Sequence, residues 1–324
     1  MMSKKTNRRN FIMGGVAAAT AIGCSNINRK PESSIASSQI NQTMPERILG
    51  KTNISLPILG LGGAGQTPLS KKGQEKQAIA VIETALELGI RYFDTAENYK
   101  PSEYYLGKVL PPFRKQIYLN SKTDARGYDL AMEHLEKSLR LLNTDYLDSW
   151  QMHHVSFPEE LEQIFSKNGA IKAVNEAKEQ GIIKFAGISG HREPDIIVEA
   201  LQRYDFDNTL ICLNAADIHH PRPFSTKVLP VAQSKNVGVI AMKVPAYGRL
   251  LKPNLLGGME KAMGYSLSLP GVHCCIIAAE NPSQLKSNVQ VARDYRMLTA
   301  AQMRQIETLT VNAGVDGSFF RRWR

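Results

Sequence analysis

The chain has 324 residues, 43% of them hydrophobic and 7% aromatic, and a formal net charge of +10. That composition suits a globular α/β domain behind a short non-globular segment and excludes a disordered chain. The sequence holds no run of about 20 apolar residues of the kind that spans a membrane, and no basic stripe with interleaved aromatics that would mark a nucleic-acid surface.

Residues 1–24, MMSKKTNRRNFIMGGVAAATAIGC, read as an address. A positive stretch containing Arg8 and Arg9 precedes a modest apolar run, residues 11–23, too short for an ordinary spanning helix. Asn7-Arg8-Arg9-Asn10-Phe11-Ile12 looks like a twin-arginine export signal, a route read by a receptor machinery that carries folded proteins. Ala21-Ile22-Gly23-Cys24 is similar to a lipoprotein processing box, with Cys24 as the acylated residue. Acylation and simple cleavage or retention both stand at this point, since one acyl chain attaches weakly by itself. Residues 25–45, rich in Ser, Asn and Gln, read as a flexible linker. A single domain is then expected over 46–324.

From residue 54 onward short apolar strands alternate with amphipathic helices. Strands are expected at 54–61, 91–94, 117–121, 148–152, 185–189, 210–214, 239–243 and 275–278, and helices at 75–88, 104–109, 130–142, 170–179, 195–203, 228–235, 261–269 and 283–292. In the first helix Ala78, Val81, Ile82, Ala85 and Leu88 recur at helical spacing. Gly89 and Gly181 stand where helices hand over to strands. Eight such pairs imply an α/β fold with a parallel sheet closed as a (β/α)₈ TIM barrel. Residues 47–49 are expected to pair with 54–56 as a hairpin at the barrel floor. Cys212, Cys274 and Cys275 form no CxxC pair and read as buried small hydrophobes. The tail Arg321-Arg322-Trp323-Arg324 reads either as loose or as folded over the barrel mouth.

Gly60-Leu61-Gly62-Gly63-Ala64-Gly65 spells GxGxxG. A dinucleotide fingerprint needs a helix opening directly after the glycines. Here Pro68 and a polar stretch through Gly73 intervene, so the match is read as accidental, with the glycines instead letting backbone approach a ligand at the mouth.

Chemistry in such barrels sits at the C-terminal ends of strands. Asp94 follows the second strand, Tyr99 lies in the next loop, Lys122 follows the third and His153 the fourth. Each alone has an ordinary reading as a cap, a packing residue, a solvated charge or a core histidine. On consecutive strand ends they converge on one point, and that convergence makes them the candidate catalytic set.

The surrounding segments resemble the aldo-keto reductases. Phe93-Asp94-Thr95-Ala96-Glu97-Asn98-Tyr99, continuing to Leu106-Gly107, is similar to the signature around that family's catalytic Asp and Tyr. Leu119-Asn120-Ser121-Lys122-Thr123 matches the segment bearing its Lys, and Asp145 to His153 the segment bearing its His. The likeness runs from residue 46 to about 311. It implies an NAD(P)H-dependent oxidoreductase that reduces a small carbonyl substrate, an aldehyde or ketone, to an alcohol. Tyr99 would be the general acid. Because tyrosine ionises near pH 10 (~10), a neighbouring cation, Lys122 held by Asp94, is expected to lower its pKa. His153 would orient the carbonyl oxygen.

For the cofactor, the resemblance puts Ser189 and Asn214 on the nicotinamide side and Gln284 and Asn288 on the adenosine side. Glu280 stands where a basic residue often holds the 2′-phosphate, with Lys286 or Arg293 as possible substitutes. NADP(H) is the family default and NAD(H) stays open. The protein is expected to act as a monomer without a metal.

Two rival readings are a cofactor-binding barrel that senses rather than catalyses, and a metal-dependent hydrolase barrel using some of the histidines at 153, 154, 191, 219, 220 and 273. Against the hydrolase, the first strand carries no histidine, and a vicinal pair such as His153-His154 is expected to point its rings to opposite faces of an extended chain.

Overall fold

A computed structural model describes residues 44–323. The segments expected as an export signal and a linker, through residue 43 and including Arg8, Arg9 and Cys24, lie outside the described residues. The chain opens with an antiparallel pair, β1 (Glu46–Ile48) and β2 (Ser55–Pro57), in which Arg47 faces Leu56. This is the expected hairpin. The segment expected as one strand over 54–61 is broken at Ile58, whose backbone N–H turns to the carbonyl of Pro45. Beyond the break, β3 (Leu59–Gly62) enters the main sheet.

Eight parallel strands then alternate with helices and close on themselves. After β3 come α1 (Glu75–Glu87), β4 (Tyr92–Asp94), α2 (Ser102–Val109), β5 (Tyr118–Thr123), α3 (Tyr128–Leu142) and β6 (Leu147–Met152). Next are α4 (Pro158–Phe165), α5 (Ala170–Glu179), β7 (Ile183–Gly190), α6 (Pro194–Arg203), β8 (Asn208–Cys212) and α7 (Phe224–Ser234). The barrel ends with β9 (Gly238–Met242), α8 (Met259–Ser268), β10 (Val272–Ile277) and α9 (Pro282–Arg293). Pairing of β10 with β3, Cys275 beside Leu59 and Ile277 beside Leu61, joins last strand to first. The fold is the expected (β/α)₈ barrel.

Sequence pattern explains the layers. Strands in this fold are covered on both faces, and every residue of β5 and β6 is buried. The helices bury one stripe: in α3 Ala131, Met132, Leu135, Ser138, Leu139 and Leu142 face inward at spacings of three and four. That helix stops at Asn143, which takes the left-handed conformation at φ 51 and ψ 56. Gly89 and Gly181, the handover residues, have φ of 87 and 71, which a side chain would resist.

Three helices lie outside the expected set. α4 is short. The last two, α10 (Ala300–Thr310) and α11 (Gly314–Ser318), bury little, with only Ile306 and Thr310 covered in α10. A helix resting one residue per turn on its neighbours leaves no apolar stripe to read. No helix follows the GxGxxG glycines directly, since a turn of 3₁₀ helix at Pro68–Ser70 precedes α1.

The barrel floor is closed by Leu49 and Leu56 from the hairpin, packed with Tyr92, Tyr118, Leu210 and Ile240. Cys212, Cys274 and Cys275 are buried free thiols, as expected. Leu49 is fully buried whereas its neighbour Ile48 is 58% exposed. Leu49→Ala should therefore lower unfolding stability by about 2–5 kcal/mol through lost contact and cavity formation, and Ile48→Ala by under about 0.5 kcal/mol. Denaturant titration of the two variants checks this; equal losses would mean the hairpin does not plug the floor.

Candidate active site

Closure brings the four expected residues to one end of the barrel. Asp94 ends β4, Lys122 lies within β5 one residue before its end, and His153 directly follows β6. The turn after β4 carries Tyr99, whose N–H donates to the carbonyl of Ala96 at 3.0 Å. The Lys122 ammonium donates to Asp94 Oδ2 and to the carbonyl of Thr95, each at 2.7 Å, and is wholly buried. Its Nζ lies 4.8 Å from the Tyr99 ring centroid. The Tyr99 hydroxyl is 3.2 Å from His153 Nε2, and the two rings meet edge to face.

Asn120, two residues before Lys122 in β5, was not singled out by sequence. Its amide donates to Asp94 Oδ1 at 2.8 Å, so both oxygens of that carboxylate are occupied. The pairing of Asp94 with Asn120 across β4 and β5 makes this contact, which only the register reveals.

The electrostatics differ from expectation in one respect. Burial, then the Asp94 carboxylate and Tyr247, hold the Tyr99 phenol well above its ordinary value. The direction is upward although the Lys122 ammonium lies over the ring, because burial and the Asp94 carboxylate outweigh it. Burial also lowers the Lys122 pKa against the opposing pull of Asp94. The His153 imidazole is pushed well below its usual range by burial and next by the Lys122 charge. The site thus holds a protonated phenol against a neutral imidazole, an arrangement that can give a proton to an oxygen placed between them.

A second correction concerns the vicinal histidines. β6 has ended at Met152, and His154 adopts φ 41, so the chain is no longer extended there. The two rings lie on the same side with centroids 4.5 Å apart. His153, His154 and His191 follow one another along the wall of a cavity of about 280 Å³ that also contains Tyr99, Lys122 and Trp323. Among the described residues, the one group of His and carboxylates with ligand-like spacing is Glu97, Asp124 and His134, outside this cavity, and its Glu97 is ion-paired with Lys137.

Beside this cavity runs a groove floored by Gly62, Ala64, Gly65 and Ala278 and walled by Gln284 and Asn288. A Cβ at Gly65, where φ is 91, would press against the Tyr247 ring at 3.2 Å. The glycine loop therefore lets main chain come close to whatever fills the groove. Asn288 is 5% exposed and lines the groove, and its side chain makes no protein hydrogen bond among the described residues, leaving its amide free for a ligand. These features fit a dinucleotide cofactor.

The remaining cofactor candidates divide. Ser189, at the end of β7, lines the cavity, its Oγ accepting the His154 N–H at 3.0 Å. Asn214 lies two residues beyond β8, not on a strand end, and borders neither cavity nor groove. Its amide donates to the carbonyl of Gly317 at 2.9 Å and accepts from the N–H of Ala216 at 3.0 Å, binding the C-terminal segment to the barrel. Glu280 lines the groove, and its backbone N–H donates to Gln284 Oε1 at 2.7 Å. Arg293 donates to the carbonyl of Leu88 and Lys286 is not part of the groove lining, so neither substitutes for a basic residue there.

The tail is not loose. Arg321 forms a buried pair with Asp217 at 2.7 Å and lies over the Phe224 ring. This anchor brings Trp323 to 5.2 Å from Tyr247 and 6.4 Å from His191.

A sequence model of the aldo/keto reductase family matches residues 58–260. Over 314 residues the chain is 25% identical to a Bacillus subtilis protein named uncharacterized oxidoreductase YqkF, covering 82% of this chain and 97% of that one. It is 27% identical to L-galactose dehydrogenase of Arabidopsis thaliana, covering 78% and 89%. Aldo-keto reductase AKR11C1 from Bacillus halodurans, in its holo form, superposes with a TM-score of 0.69 at 26% identity, covering 82% and 96%. An aldo-keto reductase from Klebsiella pneumoniae, solved with NADPH, shares the fold with a TM-score of 0.66 at 22% identity, covering 83% and 95%.

The buried histidines make stability depend on pH. Burial, then Lys243 and His154, lower His191 from 6.5 to about 4. A base whose folded pKa is depressed binds its proton more readily when unfolded. Its contribution is complete above about 6.5 and is lost as pH falls toward 4. Urea midpoints measured across that window should fall in the wild type, and His191→Gln should flatten the slope by up to about 1.4 kcal/mol per pH unit. An unaltered slope would mean His191 is solvated.

Proposed function

Because the chain belongs to the aldo/keto reductase family, we propose that it reduces an aldehyde or ketone to the alcohol with NADP(H) as cofactor. The observation that carries this reading is the Tyr99 hydroxyl 3.2 Å from His153 Nε2 with the Lys122 ammonium over the same ring. Gln284 and Asn288 would hold the adenosine end of the cofactor and Ser189 the nicotinamide amide, beside the glycine-floored groove. When bound, reduced nicotinamide supplies a hydride to the carbonyl carbon.

The chain's own residues manage the oxygen. His153, neutral, hydrogen-bonds the carbonyl oxygen and orients it. Tyr99, kept protonated by burial, delivers the proton as negative charge develops there. Lys122 stabilises the phenolate left behind, and Asp94 with Asn120 keeps the ammonium in place. Burial of Asp94, Lys122 and His153 lowers the local dielectric, which strengthens each of these interactions. A protonated donor beside the mouth favours catalysis over a purely sensing barrel, and the family assignment displaces the metal-hydrolase alternative. NADP(H) is favoured by the NADPH complex of the Klebsiella pneumoniae relative; Glu280 at the groove keeps NAD(H) usable.

Tyr99→Phe should lower turnover of a simple aldehyde about 10²–10⁴-fold. NADPH binding, followed by cofactor fluorescence, should stay within a few-fold. Turnover that falls less than tenfold would assign the proton to another group.

Export through the twin-arginine machinery is the proposed destination of the monomer, resting on residues 1–24 alone, with Cys24 as the site of a lipid anchor. Replacing Arg8 and Arg9 by Lys should retain the protein in the cytoplasm, and Cys24→Ala should release exported protein from the membrane fraction. Unaltered fractionation of the double Lys variant would remove the export reading.

A further inference from the structure

The cavity contains a second cation to which the proton transfer assigns no role. Lys243 follows β9 in the left-handed conformation, φ 61, and is half-buried. Its ammonium donates to the Tyr247 hydroxyl at 3.2 Å and lies 4.6 Å from the Trp323 ring centroid and 4.7 Å from that of Tyr247. No carboxylate among the described residues pairs with it, although Lys122 a short way off is neutralised by Asp94. An ammonium held on π faces in a half-buried cavity is attracted by the rings but not neutralised. The cavity therefore has an unmatched positive charge beside the proton donor.

Lys243 lines both the groove and the cavity, and its ammonium lies on the Trp323 ring, which lines the cavity alone. Trp323 and His191 line the cavity but not the cofactor groove, and the Lys243 charge reaches both: it stacks on the first and helps hold the second neutral. It also opposes the charge of Lys122. An anion entering here meets Lys243 directly, with His154 and His191 as hydrogen-bonding walls and no carboxylate in the cavity lining to repel it.

We propose that Lys243 is a specificity-determining residue that selects carbonyl substrates carrying a second, anionic group, a carboxylate in particular. The proposal rests on the reductase reading and names its substrate class. The anchored C-terminal segment completes the site, since Trp323 walls the ammonium on one side. The reaction is otherwise the same: aldehyde, NADPH and a proton give the alcohol and NADP⁺, with the carboxylate unaltered.

The test compares 4-carboxybenzaldehyde with its neutral isostere 4-formylbenzamide. The wild type should favour the carboxylate in kcat/KM. Lys243→Met should reduce that preference about 10- to 100-fold, the range for one charge-assisted contact, mostly through KM of the carboxylate. Lys243→Arg should restore it. Independently of turnover, the product 4-(hydroxymethyl)benzoate should change Trp fluorescence saturably in the wild type and bind at least about tenfold more weakly to Lys243→Met. A preference ratio unaltered in Lys243→Met, with NADPH affinity reduced instead, would assign the charge to cofactor phosphates and overturn the proposal. Failure of the benzoate to bind would overturn it even if 4-formylbenzamide is reduced. Binding without reduction of either aldehyde would sustain the anion site and overturn the reductase reading.

Discussion

Closure of the sheet by β10 against β3 is the constraint on which the rest depends. An open parallel sheet leaves its strand ends in a row, whereas a barrel puts them in a ring facing one space. Asp94, Lys122, His153, Ser189 and Lys243 come from five strand ends or their adjoining loops and share that space because the ring is closed. The hairpin plug of Leu49 and Leu56 seals the other end with apolar side chains. One end is thereby given to stability and the other to chemistry.

The charged end is governed by how few charges are matched. The Asp94–Lys122 pair is buried with every carboxylate oxygen and ammonium contact shown to be hydrogen-bonded, so it is retained at low cost. Around it burial favours neutral forms: the Tyr99 phenol keeps its proton and His153 and His191 lose theirs. Neutral groups can then donate or accept without first being desolvated. Lys243 is the exception, a cation supported by aromatic faces in place of a counterion.

The C-terminal segment belongs to this arrangement. Arg321 is secured twice over, by Asp217 and by backbone carbonyl and ring contacts, and Asn214 binds Gly317. The Asn214 side chain, expected on the nicotinamide side, thus positions the wall of the cavity from behind. Its displacement follows from the end of β8 at Cys212, which leaves residue 214 in the loop.

Strand and helix periodicity determined the barrel, because alternating apolar runs and amphipathic stripes are local properties of the chain. The tetrad was legible for the same reason: each member sits at or near a strand end, and the ends of consecutive parallel strands must be neighbours. Lys243 closes the expected strand at 239–243 but lies in no segment that carries the resemblance, and only its place in the cavity lining singles it out. Asn120 showed no such signal, since its bond to Asp94 depends on register. The side on which His154 lies was settled by a positive φ at one residue, and the state of Tyr99 by burial and the Asp94 carboxylate outweighing the Lys122 cation. The folded position of Trp323 was settled by a buried ion pair spanning 104 residues. Sequence determined that the tetrad reaches the mouth; only tertiary structure decided which other groups join it and which charges there are neutralised, because matching a charge is a question of distance and burial between segments far apart in the chain.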